Sequence, residues 1–472
     1  MTAYLPDPES THSEPGEEQV VAHSWRESDT FIPRAVVRPM QRLMALEVST
    51  AVAVFVAAVV AMTMANTALQ PAYESFWSTP VRFDVAGHSV IELSLRAVVN
   101  DGLMALFFMV VSLEIKREWI FGELRDRKAA ALPIIAAAGG MIVPALIYAA
   151  FNAGGPASHG WGIPMATDIA FAVAVLAAAG PRVPTTARLF LLTLAIADDL
   201  GAIMVIAIFY AHGLQWTWLA AAAAMVVLAW VFKVMRVRAI GVFVVVGVLC
   251  WYFMHKSGVH ATIAGVVMGF LTPAWSLLRP QEYPAFANRL VGEVSQRLGD
   301  GVLTHEEHSL NHGTMREIRR LSLETLAPLD RIEYRLSSWS AFFIVPVFAF
   351  ANAGLVIPRV SPVEWLSDPV VLGVGLGLVL GKTIGVFGAA WLAARLGIAR
   401  MPAGMNNIHL LAVSICAGVG FTVAMFVANL AFVDGQFAES AKLGIIVGSV
   451  VAGILGYLAL RVTPRDRAAV PG

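Results

Sequence analysis

The chain has 472 residues, of which 58% are hydrophobic and 14% are charged, and its mean hydropathy is +0.70. These values exclude an ordinary soluble domain and indicate a polytopic membrane protein. The net charge is zero, which argues against nucleic acid as a partner, and the two cysteines, Cys250 and Cys416, lie in apolar segments, which argues against a disulfide framework.

The N-terminal segment 1–42 is polar and lacks the apolar core of a signal peptide, so we expect a disordered cytoplasmic tail. A membrane domain is predicted over 43–464, followed by a cytoplasmic tail at 465–472. Apolar runs bounded by Pro, Gly and charged residues predict about twelve transmembrane helices and an all-α fold class. These spans are 45–68, 96–116, 129–151, 159–180, 186–210, 214–233, 239–254, 258–275, 338–357, 369–395, 407–433 and 440–462.

Two connecting segments stand out. Alternating apolar and polar residues at 80–92, between spans 1 and 2, predict a short β-hairpin with its turn near Ala86 and Gly87. A long polar loop at 276–337 separates spans 8 and 9. Most of the 33 Lys and Arg residues fall between spans on one side, which predicts that this side, the long loop and both termini are cytoplasmic and that the hairpin is periplasmic.

Span 2 carries charged residues at both ends. Asp101 lies in its outer third, where it is predicted to cap a helix or line an outer vestibule. Glu114, Arg117 and Glu118 lie at its inner end, where pairs three and four residues apart can form beside a cytoplasmic funnel. A solvated surface is the simpler interpretation of the segment from Lys116 to Glu118.

Two adjacent carboxylates, Asp198 and Asp199, lie near the middle of span 5. About 12 residues of helix place them roughly 18 Å deep, where a charge costs on the order of 2.5–3.5 kcal/mol. Asp168 in span 4 and Lys382 in span 10 reach a similar depth of about 14–20 Å. Three acids and one base at one depth predict a single cation or proton site, in which Lys382 offsets one acid. A purely structural buried pair is the alternative.

Spans 4 and 11 contain residues that interrupt helices. Pro164 shortly precedes Thr167 and Asp168 in span 4, and span 11 contains the glycines Gly418 and Gly420. Each is the middle span of a group of three (spans 3–5 and 10–12), which predicts two inverted repeats with crossed, interrupted helices. Asp168 could then neutralise the positive helix ends and Lys382 the negative ones. From span 4 alone, a merely kinked helix is equally consistent.

The chemistry of the acidic pair favours exchange. Adjacent residues on a helix point about 100° apart, so one of Asp198 and Asp199 can face a cavity while the other meets Lys382, and the sequence leaves both assignments open. Two ionised carboxylates repel each other, so the pair holds a small cation or protons, but not both at full occupancy. The oxygens of these residues, with those of Thr167 and Asp168, suit Na⁺ or Li⁺.

Several stretches together resemble the NhaA family of bacterial sodium–proton antiporters. They include Asn100-Asp101-Gly102, Leu113-Glu114-Ile115-Lys116-Arg117-Glu118, Ile163-Pro164-Met165-Ala166-Thr167-Asp168, Ala197-Asp198-Asp199-Leu200-Gly201, Ser257-Gly258-Val259-His260, Phe350-Ala351-Asn352-Ala353-Gly354, Gly381-Lys382 and Gly420-Phe421-Thr422. The long loop at 276–337 and the N-terminal tail depart from the usual pattern of that family.

The resemblance implies electrogenic, pH-regulated exchange of intracellular Na⁺ or Li⁺ for a larger number of external protons. It implies a location in the bacterial inner membrane, a role in sodium and pH homeostasis, and no cofactor. It implies that Asp198 and Asp199 carry the ion and protons, with Thr167 and Asp168 at the span 4 break and Lys382 compensating charge. Glu114, Arg117, Glu118 and Glu333 are implied in the pH response, and the hairpin in a homodimer.

Three other functions were weighed against antiport. A sodium-coupled symporter of an organic anion needs a polar pocket beside the break, where the sequence has small apolar residues. An intramembrane aspartyl protease needs two Asp on different helices, whereas Asp198 and Asp199 are adjacent. An ion channel has no reason to place Lys382 against a cation site. The sequence therefore predicts a transporter and not an enzyme.

Overall fold

A computed structural model describes residues 48–85, 88–211, 213–237, 239–276, 283–298, 305–357, 361–432, 435 and 437–463. In this part of the chain, nine helices are long and apolar enough to cross a membrane, and two bent helix pairs raise the number to eleven. The shorter apolar helix Thr262–Leu271 occupies the remaining predicted span, so each predicted span has an apolar helix. The all-α membrane fold is confirmed, whereas the predicted tails 1–42 and 465–472 lie outside the described residues.

The hairpin follows the first span. Helix α1 (Ser49–Ala65) bends by 113° into α2 (Gln70–Ser78), and strands β1 (Pro80–Val85) and β2 (His88–Ser94) then pair antiparallel. The strands are as predicted, while the turn at 86–87 lies outside the described residues. Arg82 and Glu92 are paired across the strands and their side chains meet at 2.6 Å, which joins the two strands on an exposed face.

The next spans form the first half of the bundle. In chain order they are α3 (Leu95–Ile120, with a π-helical turn at Val98–Leu103), α4 (Arg127–Asn152), a 3₁₀ helix (Ser158–Met165) followed by α5 (Ile169–Ala179), α6 (Thr185–Phe209), α7 (Trp216–Val234), α8 (Ile240–Ser257) and α9 (Thr262–Leu271).

Helices also occupy much of the long loop. Helices α10 (Tyr283–Leu298) and α11 (His305–Glu324) lie within it, and α12 (Pro328–Asn352) begins at Pro328 and not at 338 as predicted. The first turns of α12 are amphipathic, with Leu329 and Glu333 buried between exposed polar residues, so an apolar-run criterion misses them. The remaining helices are α13 (Pro362–Ser367), α14 (Pro369–Arg395, with a π-helical turn at Gly377–Gly381), α15 (Asn407–Cys416), α16 (Phe421–Ala431) and α17 (Ala438–Val462).

Glycines bring α4 and α14 into close contact. A Cβ atom on Gly385 would collide with the carbonyl oxygen of Gly139, and a Cβ on Gly139 would collide with that of Gly385. Toward the other end of α14, Gly377 and Gly381 face prolines in the same way. The glycines of span 10 therefore serve close helix packing. Because α4 also packs against α6, this contact brings span 10 beside the acidic pair of span 5.

The role of this contact gives a first prediction. We expect Gly385→Ala to destabilise the protein by about 1–3 kcal/mol, because the added methyl group meets backbone that has no room to move. Gly388→Ala, on the same helix, adds a methyl group with no neighbour within 4 Å and should be neutral or stabilising by up to about 1 kcal/mol. Thermal unfolding of both variants in detergent measures the difference, and equal unfolding temperatures would contradict the close-packing role.

Candidate ion-binding site

The centre of the site is an ion pair inside the membrane domain. Lys382, at the end of the π-helical turn of α14, places its Nζ 2.7 Å from Oδ2 of Asp198 on α6. Both side chains are buried, with exposed fractions of 0% and 1%. Gly140 on α4 leaves space for Val386, one turn beyond Lys382 on α14, since a Cβ atom there would lie 2.6 Å from Val386 Cγ2. The question that the sequence left open is therefore answered geometrically: Asp198 pairs with Lys382.

Asp199 is buried without such a partner. Its residue is 6% exposed, and it makes no hydrogen bond or ion pair with the described residues. The charges of Asp198, Glu114, Asp168 and Lys382 all reach its carboxyl group. Beside it, Oδ1 of Asp198 is also buried without a hydrogen-bond partner in the described chain. Two adjacent residues thus present carboxylate oxygens to which no N–H or O–H group of the described residues donates. Carboxylate oxygens are ligands that a small hard cation prefers.

Spans 4 and 11 cross at their breaks, as predicted. The backbone is extended from Ala166 to Asp168, between the 3₁₀ helix and α5. Asp168 N–H donates to the carbonyl of Val419 at 2.6 Å, and the Thr167 hydroxyl donates to that of Ala417 at 2.9 Å. A Cβ on Gly420 would lie 2.8 Å from the carbonyl oxygen of Ala166. Each break therefore satisfies backbone groups that the other break frees.

The Asp168 carboxylate serves the beginnings of two helices. Its Oδ1 accepts from the N–H of Phe171 at 3.3 Å at the start of α5, and its Oδ2 accepts from the N–H of Thr422 at 3.1 Å at the start of α16. The Thr422 hydroxyl also donates to Oδ2. A negative group at two helix N-termini is electrostatically favourable. Asp168 therefore lies at the positive N-terminal ends of α5 and α16, as the sequence suggested.

One interpretation of the sequence placed Lys382 at the negative ends of the interrupted helices, whereas the structure pairs it with Asp198. Its Nζ donates to Asp198, and within the described part of the chain no hydrogen bond joins it to the carbonyls that end the 3₁₀ helix or α15. Close packing explains why Lys382 meets Asp198. Glycines let α14 approach α4 closely, and α4 also packs against α6, which carries Asp198. Thr167 lies next to the Asp198 carboxyl, so the break, the acids and the lysine form one cluster.

Thr422 was not among the predicted site residues. The signal was present, because Gly-Phe-Thr follows the glycine break of span 11 just as Thr-Asp lies at the break of span 4. We expect Thr422→Val to lower the free energy of unfolding by about 1–3 kcal/mol and to weaken binding at the predicted cation site, since Asp168 Oδ2 loses a hydroxyl donor in a buried position. Thr422→Ser keeps the hydroxyl and is the matched control. Thermal unfolding with and without NaCl measures both effects, and a Val variant that matches the Ser variant would contradict this role.

The residues implied in the pH response lie together near the C-terminal end of α3. Arg117 is paired with Glu333 of α12, and its other terminal nitrogen lies 3.9 Å from Glu118. Glu114 lies one turn deeper, within the fields of Glu333, Arg117 and Glu118. Because the charge of Glu114 also reaches Asp199, the cluster is electrostatically connected to the acidic pair.

Asp101 is separate from that cluster. It lies in the π-helical turn near the other end of α3, about 24 Å from Arg117 along the helix. Its carboxylate is 3.5 Å from Nδ1 of His255. Next to it, Asn100 exchanges side-chain hydrogen bonds with the buried Asn352 of α12, and Asn429 of α16 donates to the same Asn352. This amide cluster, which sequence reasoning missed, joins α3, α12 and the far half of span 11.

Comparisons with known proteins identify relatives of this chain. The model of the family described as Na⁺/H⁺ antiporter 1 matches residues 41–460. A Na⁺/H⁺ antiporter NhaA of Anaeromyxobacter sp. (strain Fw109-5) is 43% identical over 432 residues, which cover 91% of this chain and 93% of the relative. Proteins of the same name from Rhodopirellula baltica and Helicobacter pylori (strain G27) are each 43% identical, over 420 and 417 residues, and cover 89% and 88% of this chain and 92% and 93% of the relatives.

Proposed function

The chain belongs to the Na⁺/H⁺ antiporter 1 family, and on that premise we propose that it exchanges Na⁺ for H⁺ at the carboxylates of Asp198 and Asp199. One observation carries the assignment of the site: Asp198 is bound by Lys382, whereas the next residue, Asp199, is buried and no basic side chain among the described residues pairs with it. An unpartnered acid at this depth is costly, and a transported cation or proton removes the cost.

Competition for the same oxygens produces the exchange. An ionised Asp199 attracts Na⁺, and Oδ1 of Asp198 supplies a second unoccupied oxygen next to it. Thr167 and Asp168, at the crossing of the breaks, are candidates for further oxygens as the ion enters or leaves. Protonation of Asp199 removes the charge that holds Na⁺. When the site is open to the side with the higher proton concentration, it therefore takes up a proton and releases Na⁺. The same ligands suit Li⁺.

Electrogenic exchange requires more than one proton for each Na⁺. Asp199 accounts for one proton. The buried ion pair supplies a candidate for the second, because a Na⁺ that draws the Asp198 carboxylate away from Lys382 leaves a buried ammonium group without a partner, and that group can then release a proton. Lys382 compensates the charge of Asp198 whenever Na⁺ is absent.

The inner cluster provides a basis for regulation by pH. Glu114, Arg117, Glu118 and Glu333 hold interacting charges at one end of α3, and protonation of any acid changes the field at the next. Asp101, with His255, occupies the opposite end and would line the outer vestibule.

The protein is a multi-pass membrane protein. We place it in a bacterial inner membrane with both termini cytoplasmic, because that orientation puts most Lys and Arg inside. The hairpin is then periplasmic and available to pair two subunits in a homodimer. The named relatives are antiporters, which are transporters, and they give no support to the organic-anion symporter. Neither an enzymatic activity nor a cofactor is needed for the exchange.

Inverted membrane vesicles from a host that lacks its own antiporters provide the test. Respiration acidifies the vesicles, and NaCl, LiCl or KCl is then added while a dye reports the pH difference. We expect Na⁺ and Li⁺ to dissipate the pH difference and K⁺ to have no effect, and an imposed membrane potential to change the rate if exchange is electrogenic. A protein that is inserted but gives no Na⁺ response at any pH would contradict the proposal.

A further inference from the structure

A groove between α5 and α17 faces outward from the membrane domain, away from the acidic pair. Its volume is about 340 Å³, and it is lined by apolar residues of both helices. Ala174 and Ala178 on α5 and Gly453 on α17 make it deep, because small side chains leave space between two packed helices. Ile454 and Leu458 on its rim are 56% and 53% exposed, so the groove opens toward the bilayer.

Two arginines lie at one end of the groove. The Arg461 guanidinium lies over the ring of Tyr457, 5.1 Å from its centroid, and its Nε donates to the Tyr457 hydroxyl at 2.8 Å. Arg182, just beyond the end of α5, donates to the carbonyl of Arg461 at 2.8 Å. Neither guanidinium is paired with a carboxylate of the described residues. Tyrosine beside arginine at the end of an apolar segment is typical of the lipid headgroup region.

We propose that this groove binds one anionic phospholipid, with an acyl chain between α5 and α17 and the phosphate at Arg182 and Arg461. The groove runs from Phe171 to Ala178, about 10 Å along α5, and the arginines lie about one helical turn beyond it. Together the groove and the arginines span about 16 Å, close to half of a hydrocarbon core of about 30 Å. Arginine binds phosphate through paired N–H donors, which gives the headgroup end its chemical preference.

Charge complementarity favours a lipid as the occupant. The groove is apolar and the two arginines lie beyond one end of it, which matches the acyl chain and the anionic headgroup of a phospholipid. In the proposed orientation the arginines lie at the cytoplasmic leaflet, where anionic lipids attract basic side chains. The lipid site does not depend on the exchange mechanism, and its place in the cytoplasmic leaflet rests on the proposed orientation.

The inner end of the acyl chain would lie close to the crossing of the interrupted helices. Phe171 lines the groove, and its ring packs edge-on against Phe421 at the start of α16. Its backbone N–H donates to Asp168. A bound lipid therefore supports the outward face of the turn that Asp168 caps.

Photolabelling tests the proposal directly. The purified full chain is reconstituted in phosphatidylcholine vesicles that contain trace phosphatidylglycerol or trace phosphatidylcholine with a photoreactive group in the acyl chain, and labelled peptides are identified by mass spectrometry. We expect peptides from α5 and from 453–458 to be labelled roughly tenfold more by the anionic probe, because two arginines attract its headgroup. Equal labelling by the two probes would overturn the anionic preference.

Variants separate the headgroup from the groove. Arg182→Gln with Arg461→Gln should reduce labelling by phosphatidylglycerol to the level of phosphatidylcholine, and Ala178→Leu should reduce labelling by both probes because its side chain fills the groove. Arg395→Gln is the matched control, since Arg395 lies over Trp391 on α14, away from the groove, and should leave labelling unchanged. Unchanged labelling in the double Gln variant, or crosslinks from the groove to a second copy of the chain, would overturn the proposal.

Discussion

Replacement of Asp199 by Asn is expected to abolish Na⁺-dependent proton movement while the protein remains folded. The Asp199 carboxylate makes no hydrogen bond with the described residues, so its removal leaves no protein donor unsatisfied. A carboxylate about 4 Å from a cation contributes about 4 kcal/mol at an effective dielectric constant of 20, so its loss should weaken Na⁺ binding roughly a thousandfold. The amide that replaces it also cannot carry a proton.

The vesicle assay across a range of pH measures this loss, with the amount and monodispersity of the variant checked in parallel. Asp84→Asn, in the exposed hairpin, removes an acid of the same type outside the bundle and should retain full exchange. If Asp199→Asn responds to Na⁺ like the unmodified protein, the carrier is a different group. Asp198→Asn is a less direct probe, because it leaves Lys382 buried without its partner.

The second large effect is expected for Lys382→Ala, which should lower the free energy of unfolding by about 3–5 kcal/mol. The substitution leaves Asp198 buried without the ammonium group that, among the described residues, is its one ion-pair partner. The Arg82–Glu92 pair in the hairpin is an exposed ion pair, with side chains 61% and 52% exposed, and it serves as a control for the buried pair. Arg82→Ala should change the stability by less than about 1 kcal/mol, because water screens an exposed pair.

A double variant distinguishes electrostatic loss from loss of packing. Asp198→Asn combined with Lys382→Met removes both charges and keeps most of the side-chain volume, so it should recover much of the unfolding temperature that Lys382→Ala loses. The recovered protein should still fail to exchange ions electrogenically, because the proposed second proton carrier is gone. If the double variant is as unstable as Lys382→Ala, the lysine stabilises the bundle by packing and not by its charge.

Local sequence signals were sufficient for the architecture. Hydrophobic runs located the membrane helices because every backbone polar group in a bilayer must be bonded within a helix, which makes such runs long and apolar. Proline at 164 and glycine at 418 and 420 marked both breaks, because each acts on the backbone of its own segment. The start of α12 was missed for the same reason, since its amphipathic first turns are buried by neighbours that no local pattern reveals.

The sequence also predicted similar depths for the charged residues, because residue count along a helix converts directly into distance. The sequence did not reveal which of these side chains contact each other. Lys382 and Asp198 are 184 positions apart, Thr422 and Asp168 are 254 apart, and Asn100 and Asn352 are 252 apart. Such pairings depend on how each helix is rotated about its axis and where it crosses its neighbours. Close contacts such as Gly139 against Gly385 decide both, so only the tertiary structure assigns Lys382 to Asp198 and leaves Asp199 unpaired.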